Sequence, residues 1–163
     1  IGLIGLPNAG KSTLLSRISR ARPKIAAYPF TTLEPNLGVV KIDSQELIVA
    51  DIPGLIEGSS RGKGLGDKFL RHVERTKVLV HLIDINSRDI NSDYKIIRDE
   101  LNNWNPLLLQ KKEIVVLSKA DTMEESQSKK IAAKLKAEIG KDILIISAVS
   151  GEGIEELLRS FSD

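Results

Sequence analysis

Residues 1 to 18 read Ile-Gly-Leu-Ile-Gly-Leu-Pro-Asn-Ala-Gly-Lys-Ser-Thr-Leu-Leu-Ser-Arg-Ile: an apolar run, a glycine-bounded turn and a stretch of helical period in direct succession. Within it, Gly5 to Ser12 matches G-x-x-x-x-G-K-S, and the strand-like run before and helical stretch after give the match its meaning. Gly5 and Gly10 permit backbone angles that turn loop N–H groups inward. The loop of Gly5, Leu6, Pro7, Asn8, Ala9, Gly10, Lys11, Ser12 and Thr13 can then cradle a β-phosphate, aided by the positive end of the helix dipole. Lys11 brings a charge between β- and γ-phosphates, and the Ser12 hydroxyl can reach Mg²⁺. The plain alternative, a glycine turn that happens to precede Lys-Ser, arises by chance in on the order of one chain in a hundred of this length.

Outward from this loop, short β-rich apolar runs alternate with helical stretches, the pattern of an α/β domain on a mostly parallel sheet. Six strands are expected. Residues 1 to 5, 79 to 83, 114 to 118 and 143 to 147 are nearly continuous apolar runs, as in strands covered on both faces. Residues 37 to 42 and 46 to 50 are separated by Asp43-Ser44-Gln45, a connection that can only make a hairpin, so one strand runs antiparallel. Helices are expected near residues 11 to 20, 67 to 75, 90 to 103, 124 to 139 and 152 to 161, on both faces of the sheet. Two stretches fit neither period: residues 21 to 36, and residues 53 to 66 with five glycines. Connections this long seldom persist without a functional reason.

The chain has 163 residues, 41% of them hydrophobic, enough for one domain with a sizeable core. Without cysteine, disulfides and thiolate metal sites are excluded, and a cytoplasmic setting is expected. No membrane span or secretory leader is expected either. A net charge of +2, both signs being spread along the chain, implies no nucleic-acid partner by itself. Because Ile1 opens inside an apolar run, the domain is expected to be part of a longer chain, and to be monomeric.

Asp51-Ile52-Pro53-Gly54 follows the hairpin's second strand, which puts Asp51 at a strand's carboxyl end, where ligands of α/β sheets bind. There Asp51 can hold Mg²⁺ through a water, and the Gly54 N–H can reach a γ-phosphate. Upstream, Phe30, Thr31, Thr32, Leu33 and Glu34 lie in the first irregular stretch. A threonine there, Thr32 in preference to Thr31, can give Mg²⁺ its hydroxyl and the γ-phosphate its N–H only while that phosphate is present, an order–disorder switch. Ser118-Lys119-Ala120-Asp121 ends the fifth strand and Ser147-Ala148-Val149 the sixth. Asp121 offers two acceptors to the N1–H and 2-amino group of guanine, a pair adenine lacks; the Lys119 stem can cover the ring, and the Ala148 N–H can donate to O6.

With these residues in place, the chain resembles the G domain of the Obg family, Ras-like P-loop GTPases associated with ribosome assembly and stress control. The resemblance rests on Gly5 to Ser12 (GLPNAGKS), Tyr28 to Val40 (YPFTTLEPNLGVV), Asp51 to Gly66 (DIPGLIEGSSRGKGLG) and Lys68 to Glu74 (KFLRHVE). It implies Mg²⁺-dependent hydrolysis of GTP to GDP, a large ribosomal subunit as partner, and a glycine-rich domain preceding this one. Two residues matter against the wider pattern of such GTPases. Ser118 stands where Asn-Lys-x-Asp begins, and its shorter side chain bears on affinity more than on specificity. Leu55 stands where Ras-like proteins carry the glutamine that orients the attacking water, so intrinsic turnover is expected to be slow.

Other residues admit more than one role. His81 in a central strand and His72 on a helix are expected to be structural rather than general bases. Glu57 is either an exposed loop carboxylate or a group near the γ-phosphate; Trp104 anchors the end of a helix, and Met123 packs. Asn8 either stabilises the loop turn or, through its amide oxygen, coordinates K⁺ beside the phosphates, with carbonyls from residues 21 to 31 completing the shell. Arg61, Lys63, Lys68, Arg71, Arg75 and Lys77 against Asp67 and Glu74 are either a solvated helix face or a basic surface for ribosomal RNA. A kinase or ATPase is opposed by Asp121 and by the lack of a lid segment. Guanine selection through Asp121 predicts that Asp121→Asn, which exchanges an acceptor for a donor, prefers xanthosine to guanosine triphosphate by roughly 2–3 kcal/mol in competition binding. Unchanged GTP affinity would place the base elsewhere.

Overall fold

The computed structural model describes residues 1–19, 24–25, 36–52 and 71–163. Its strands are β1 (Gly2–Ile4), β2 (Lys24–Ile25), β3 (Asn36–Ile42), β4 (Gln45–Asp51), β5 (Val78–Asp84), β6 (Lys112–Ser118) and β7 (Ile143–Ile145). They form one sheet in the order β2-β3-β4-β1-β5-β6-β7. All six expected strands are present, and the two-residue β2 is an addition. Two residues flanked by Pro23 and Ala26 carry no period that a sequence can display; β2 exists because β3 offers it an edge, pairing Lys24 with Leu37 and Ile25 with Asn36. The β3–β4 hairpin closes on Asp43 and Ser44 alone, since Gln45 already pairs with Ile42. Asp43 turns the chain in the left-handed region at φ 53°. β3 is antiparallel to both its neighbours, whereas β1 pairs parallel with β4 and β5, and β6 with β5 and β7.

The helices are α1 (Lys11–Ile18), α2 (Ile90–Trp104), α3 (Glu125–Ile139) and α4 (Ile154–Ser160), and residues 71 to 75 are also helical. Alternation along the central strands divides the core. Leu3, Val80, Leu82 and Val116 point to one face and pack with Leu14, Leu15 and Ile18 of α1 and Leu157 of α4. On the other face Ile4 and Leu79 meet Val73 and the Ile97 and Leu101 stripe of α2, while Ile83, Val115 and Leu117 meet Tyr94, Ala132 and Leu135 of α2 and α3. Each such fully buried aliphatic side chain contributes about 1.5–3 kcal/mol relative to exposure. α2 is capped by Asp89, whose carboxylate accepts from the Ser92 N–H at 2.9 Å. Its last residue, Trp104, donates Nε1–H to Glu74 at 2.9 Å, tying it to the helical residues 71 to 75. Met123 packs against the third cluster.

A buried carboxylate anchors this scaffold from within. The Glu113 side chain is 1% exposed and accepts from His81 Nδ1 at 2.9 Å, Arg98 at 2.8 Å, the Tyr94 hydroxyl at 3.4 Å and Lys141. An ionised carboxylate only accepts, so Nδ1 carries the histidine proton. His81 stacks on Tyr94 with ring centroids 5.1 Å apart, a structural histidine with no place in nucleotide chemistry. Burial raises the Glu113 pKa, but the hydrogen bond and charge of His81, with Lys141 and Arg98, outweigh it and hold the carboxyl at about 2, against 4.5 ordinarily. Since the folded value lies below the unfolded one, the stabilisation is complete above pH 4.5 and is lost as pH falls toward 2. Urea unfolding is expected to show that loss in the parent and a flatter acid limb in Glu113→Gln. At pH 7 the variant should be less stable by about 3–5 kcal/mol, because Arg98 and Lys141 lose their anion.

Candidate functional site

The carboxyl ends of β1, β4, β5 and β6 lie side by side, and the polar segments that follow them converge. Gly5 leaves β1 at φ 154°, and a Cβ there would stand 2.5 Å from the Leu82 carbonyl oxygen of β5, so only glycine lets the loop turn at this height. Asn8 sits exposed at φ 69°, in the left-handed region that asparagine tolerates, and Gly10 caps α1 at φ 97°. Ala9 N–H donates to the Leu6 carbonyl at 3.1 Å, closing the loop on itself.

Lys11 folds its ammonium back into this loop, 3.1 Å from the Gly5 carbonyl and 3.3 Å from that of Leu6. Burial lowers its pKa, and the charge of Asp51 acts the other way. The Ser12 hydroxyl donates to Asp51 Oδ2 at 2.9 Å. Asp51 is 5% exposed, and its other oxygen, Oδ1, is buried without a hydrogen-bond partner. A buried carboxylate oxygen left unmatched beside an exposed hydroxyl is a donor set for a hard divalent cation, which takes oxygen ligands and keeps several waters. The pair fits Mg²⁺ on chemistry. Among the described residues no group of three or more His, Cys, Asp or Glu side chains could hold a metal by itself.

On the far side of the loop a cavity of about 210 Å³ is lined by Gly10, Thr13, Ser118, Lys119, Asp121 and Ala148, among others. Asp121 Oδ1 accepts from the Ser147 hydroxyl at 2.7 Å, and Ser147 Oγ accepts from the Ser150 N–H at 3.0 Å, fixing the carboxylate's orientation. Ala120 N–H donates to the Ile146 carbonyl at 3.1 Å, joining the segments after β6 and β7. Val149, 73% exposed, stands at the rim. Lys119 adopts φ 65° and pairs its ammonium with Asp84 Oδ2 at 2.8 Å. Asp84 also accepts from the Asn86 N–H and side-chain amide at 2.9 and 3.3 Å, and Asn86 donates to Thr122 at 2.9 Å. Burial raises the Asp84 pKa, and the Lys119 and Asn86 contacts more than reverse this.

Asp84, Asn86 and Thr122 were not legible as site residues. The one available signal was an acidic residue at the carboxyl end of an otherwise apolar strand, where such sheets bind ligands. Ile52 is fully buried beneath the site, its N–H bonded to the Leu3 carbonyl at 3.1 Å, and so supports the Asp51 turn from below. His72 is buried and lines a cavity with Ile1, Thr76 and Val78 at the amino ends of β1 and β5, the opposite edge from residues 5 to 12. Burial and then Arg75 lower its pKa. Phe30, Thr31, Thr32, Leu33, Glu34, Pro53, Gly54, Leu55, Glu57, Arg61, Lys63, Asp67 and Lys68 lie outside the described residues.

A mostly parallel sheet with a glycine-bounded loop on a helix N-terminus, a hydrogen-bonded Ser–Asp pair beside it and an aspartate-bearing cavity beyond define a P-loop GTPase domain. The family described as 50S ribosome-binding GTPase matches residues 1–119. The chain belongs to that family, as a G domain of the Obg type. It is 52% identical over 159 residues to the GTPase Obg of Rickettsia bellii, covering 98% of this chain and 48% of the relative. It thus spans about half the length of the curated relative it matches. Among solved structures it is similar to Aquifex aeolicus Era bound to GDP·AlF₄⁻ (TM-score 0.77, 26% identity, 98% of this chain and 54% of that one). The G domain of the T. maritima FeoB iron transporter shares the fold at TM-score 0.70 and 22% identity, over 97% of this chain and 92% of that one. Among the described residues no helix is long and apolar enough to cross a membrane.

Proposed function

We propose that this domain binds GTP with Mg²⁺ and hydrolyses it slowly to GDP and phosphate, so that turnover resets a switch acting on the large ribosomal subunit. The observation that carries the reading is the convergence of Lys11, the Ser12–Asp51 pair and Asp121 at one edge of the sheet. A triphosphate lying along residues 5 to 12 would draw the Lys11 ammonium off the Gly5 and Leu6 carbonyls. Oxygens of higher charge density then replace neutral acceptors, and an ammonium destabilised by burial gains most from the exchange. Mg²⁺, when bound, neutralises charge developing across the β- and γ-phosphates. Ser12 and Asp51 would hold it, with Thr32 completing the set in the triphosphate state. Asp121 would fix the purine edge that bears N1 and the 2-amino group, oriented by Ser147.

The ribosomal part rests on the family description and on the surface. Era has been solved in complex with MgGDPNP and nucleotides of 16S ribosomal RNA, at TM-score 0.74. In this chain Arg71, Arg75 and Lys77 are exposed in and just after the helical residues 71 to 75. Binding of the full-length protein to isolated large subunits in a GTP analogue is expected to weaken steeply with salt, and Arg71→Glu with Arg75→Glu to abolish most of it. Retention of binding by the double variant would leave that face merely solvated.

Hydrolysis itself is tested by single-turnover assay. No described residue supplies an arginine to the phosphates, and Asn8, exposed at the middle of the loop, would offer its amide oxygen to a K⁺ ion there. The same left-handed backbone equally suits a residue that only stabilises the turn. Turnover of the parent should be faster in K⁺ than in Na⁺ at equal ionic strength by about fivefold or more, with the difference absent in Asn8→Ala. Equal rates in both salts return Asn8 to the structural role; no turnover in either leaves a nucleotide-gated binding module.

A further inference from the structure

Ser118 ends β6 directly beneath the phosphate loop: it is 4% exposed, and a Cβ placed on Gly10 would lie 3.9 Å from its Oγ. That hydroxyl stands 2.6 Å from the Ala9 carbonyl and 3.2 Å from the Ile83 carbonyl. Both neighbours are acceptors, and a serine has a single proton to give. The shorter contact holds it. Ser118 therefore ties the segment that carries Lys119 and Asp121 to the phosphate loop, across 109 residues of sequence, and has no donor left for anything in the cavity it lines.

The consequence depends on which purine atoms need donors. With N1–H and the 2-amino group directed at Asp121 and O6 toward the Ala148 amide, the next acceptor along that side of guanine, N7, would face the part of the cavity lined by Ser118. We propose that this site is blind to N7: Ser118 acts as a tie between base loop and phosphate loop and leaves the imidazole edge of the purine unread. Selection then falls on the opposite edge alone, while affinity depends on the tie through the geometry of the loop it holds. An amide at the same position has two protons, one for the Ala9 carbonyl and one for N7, which makes Ser118→Asn the informative gain of function.

The inference rests on guanine nucleotide binding at this cavity, and the test separates the two. GTP and 7-deaza-GTP, which differ only in replacement of N7 by C–H, are titrated against a fluorescent GDP on the full-length protein. The parent is expected to bind both within about threefold, Ser118→Asn to favour GTP by more than about threefold, and Ser118→Ala to weaken both equally, by about fivefold or more. A thermal unfolding scan establishes that Ser118→Ala is folded; should it not be, the parent's two affinities and those of Ser118→Asn decide the matter. A parent that discriminates against 7-deaza-GTP by more than about threefold overturns the proposal, as does a Ser118→Asn variant that treats the two alike. A parent that displaces fluorescent GDP with neither nucleotide overturns the guanine-binding reading first, and this inference with it.

Discussion

The site depends on the close approach of β1 to β5. Leu3 and Ile4 are fully buried between parallel neighbours on both sides, and the chain leaves this strand at Gly5 against the Leu82 carbonyl. A side chain at that point would lift the loop off the sheet edge. Because the loop is held down, the helix that follows starts with its N–H groups over the edge, and Lys11 can be buried against loop carbonyls rather than pointing into water. Asp51 comes to the same height because β4 pairs with β1 in register, Ala50 opposite Gly2 and Asp51 opposite Leu3.

Two polar ties then set how rigidly the phosphate and base regions are related. Ser118 fastens β6 to the phosphate loop, and the Ala120 N–H fastens the segment after β6 to Ile146 after β7. Both follow from parallel alignment of strand ends: the Ala120 bond joins the adjacent β6 and β7, whereas the Ser118 tie reaches past β5 to the loop that follows β1. The Asp84–Lys119 pair is partly exposed, with side chains 28% and 38% accessible, so its contribution is geometric more than energetic. It holds a long, otherwise flexible side chain along the cavity wall, lowering the entropy lost when a planar ring is covered.

The Glu113 cluster lies away from this edge and serves the scaffold. Its carboxylate meets an imidazole from β5 and cations from α2 and the turn before β7, so the strands that carry the base segments are cross-linked from behind. Buried ion clusters of this kind are costly to break and of modest net benefit to form, which fits a role in fixing register rather than in raising stability. His81 belongs here and not to catalysis.

The class of fold was legible in the amino-acid sequence. The places of Gly5 to Ser12, Asp51 and Asp121 at strand ends were readable because each stands at a fixed distance from an apolar strand, and strand period and turn chemistry are local properties of the chain. Helix positions were readable for the same reason. Relations between segments that leave no mark in either one came from packing. β2 is a strand only because β3 provides an edge; Asp84 meets Lys119, and Ser118 meets Ala9, only because parallel pairing brings the ends of β1, β5 and β6 together. A serine in a sequence does not say where its one proton goes. That choice is made by whichever carbonyl the fold places within 2.6 Å, and only packed strands can specify it.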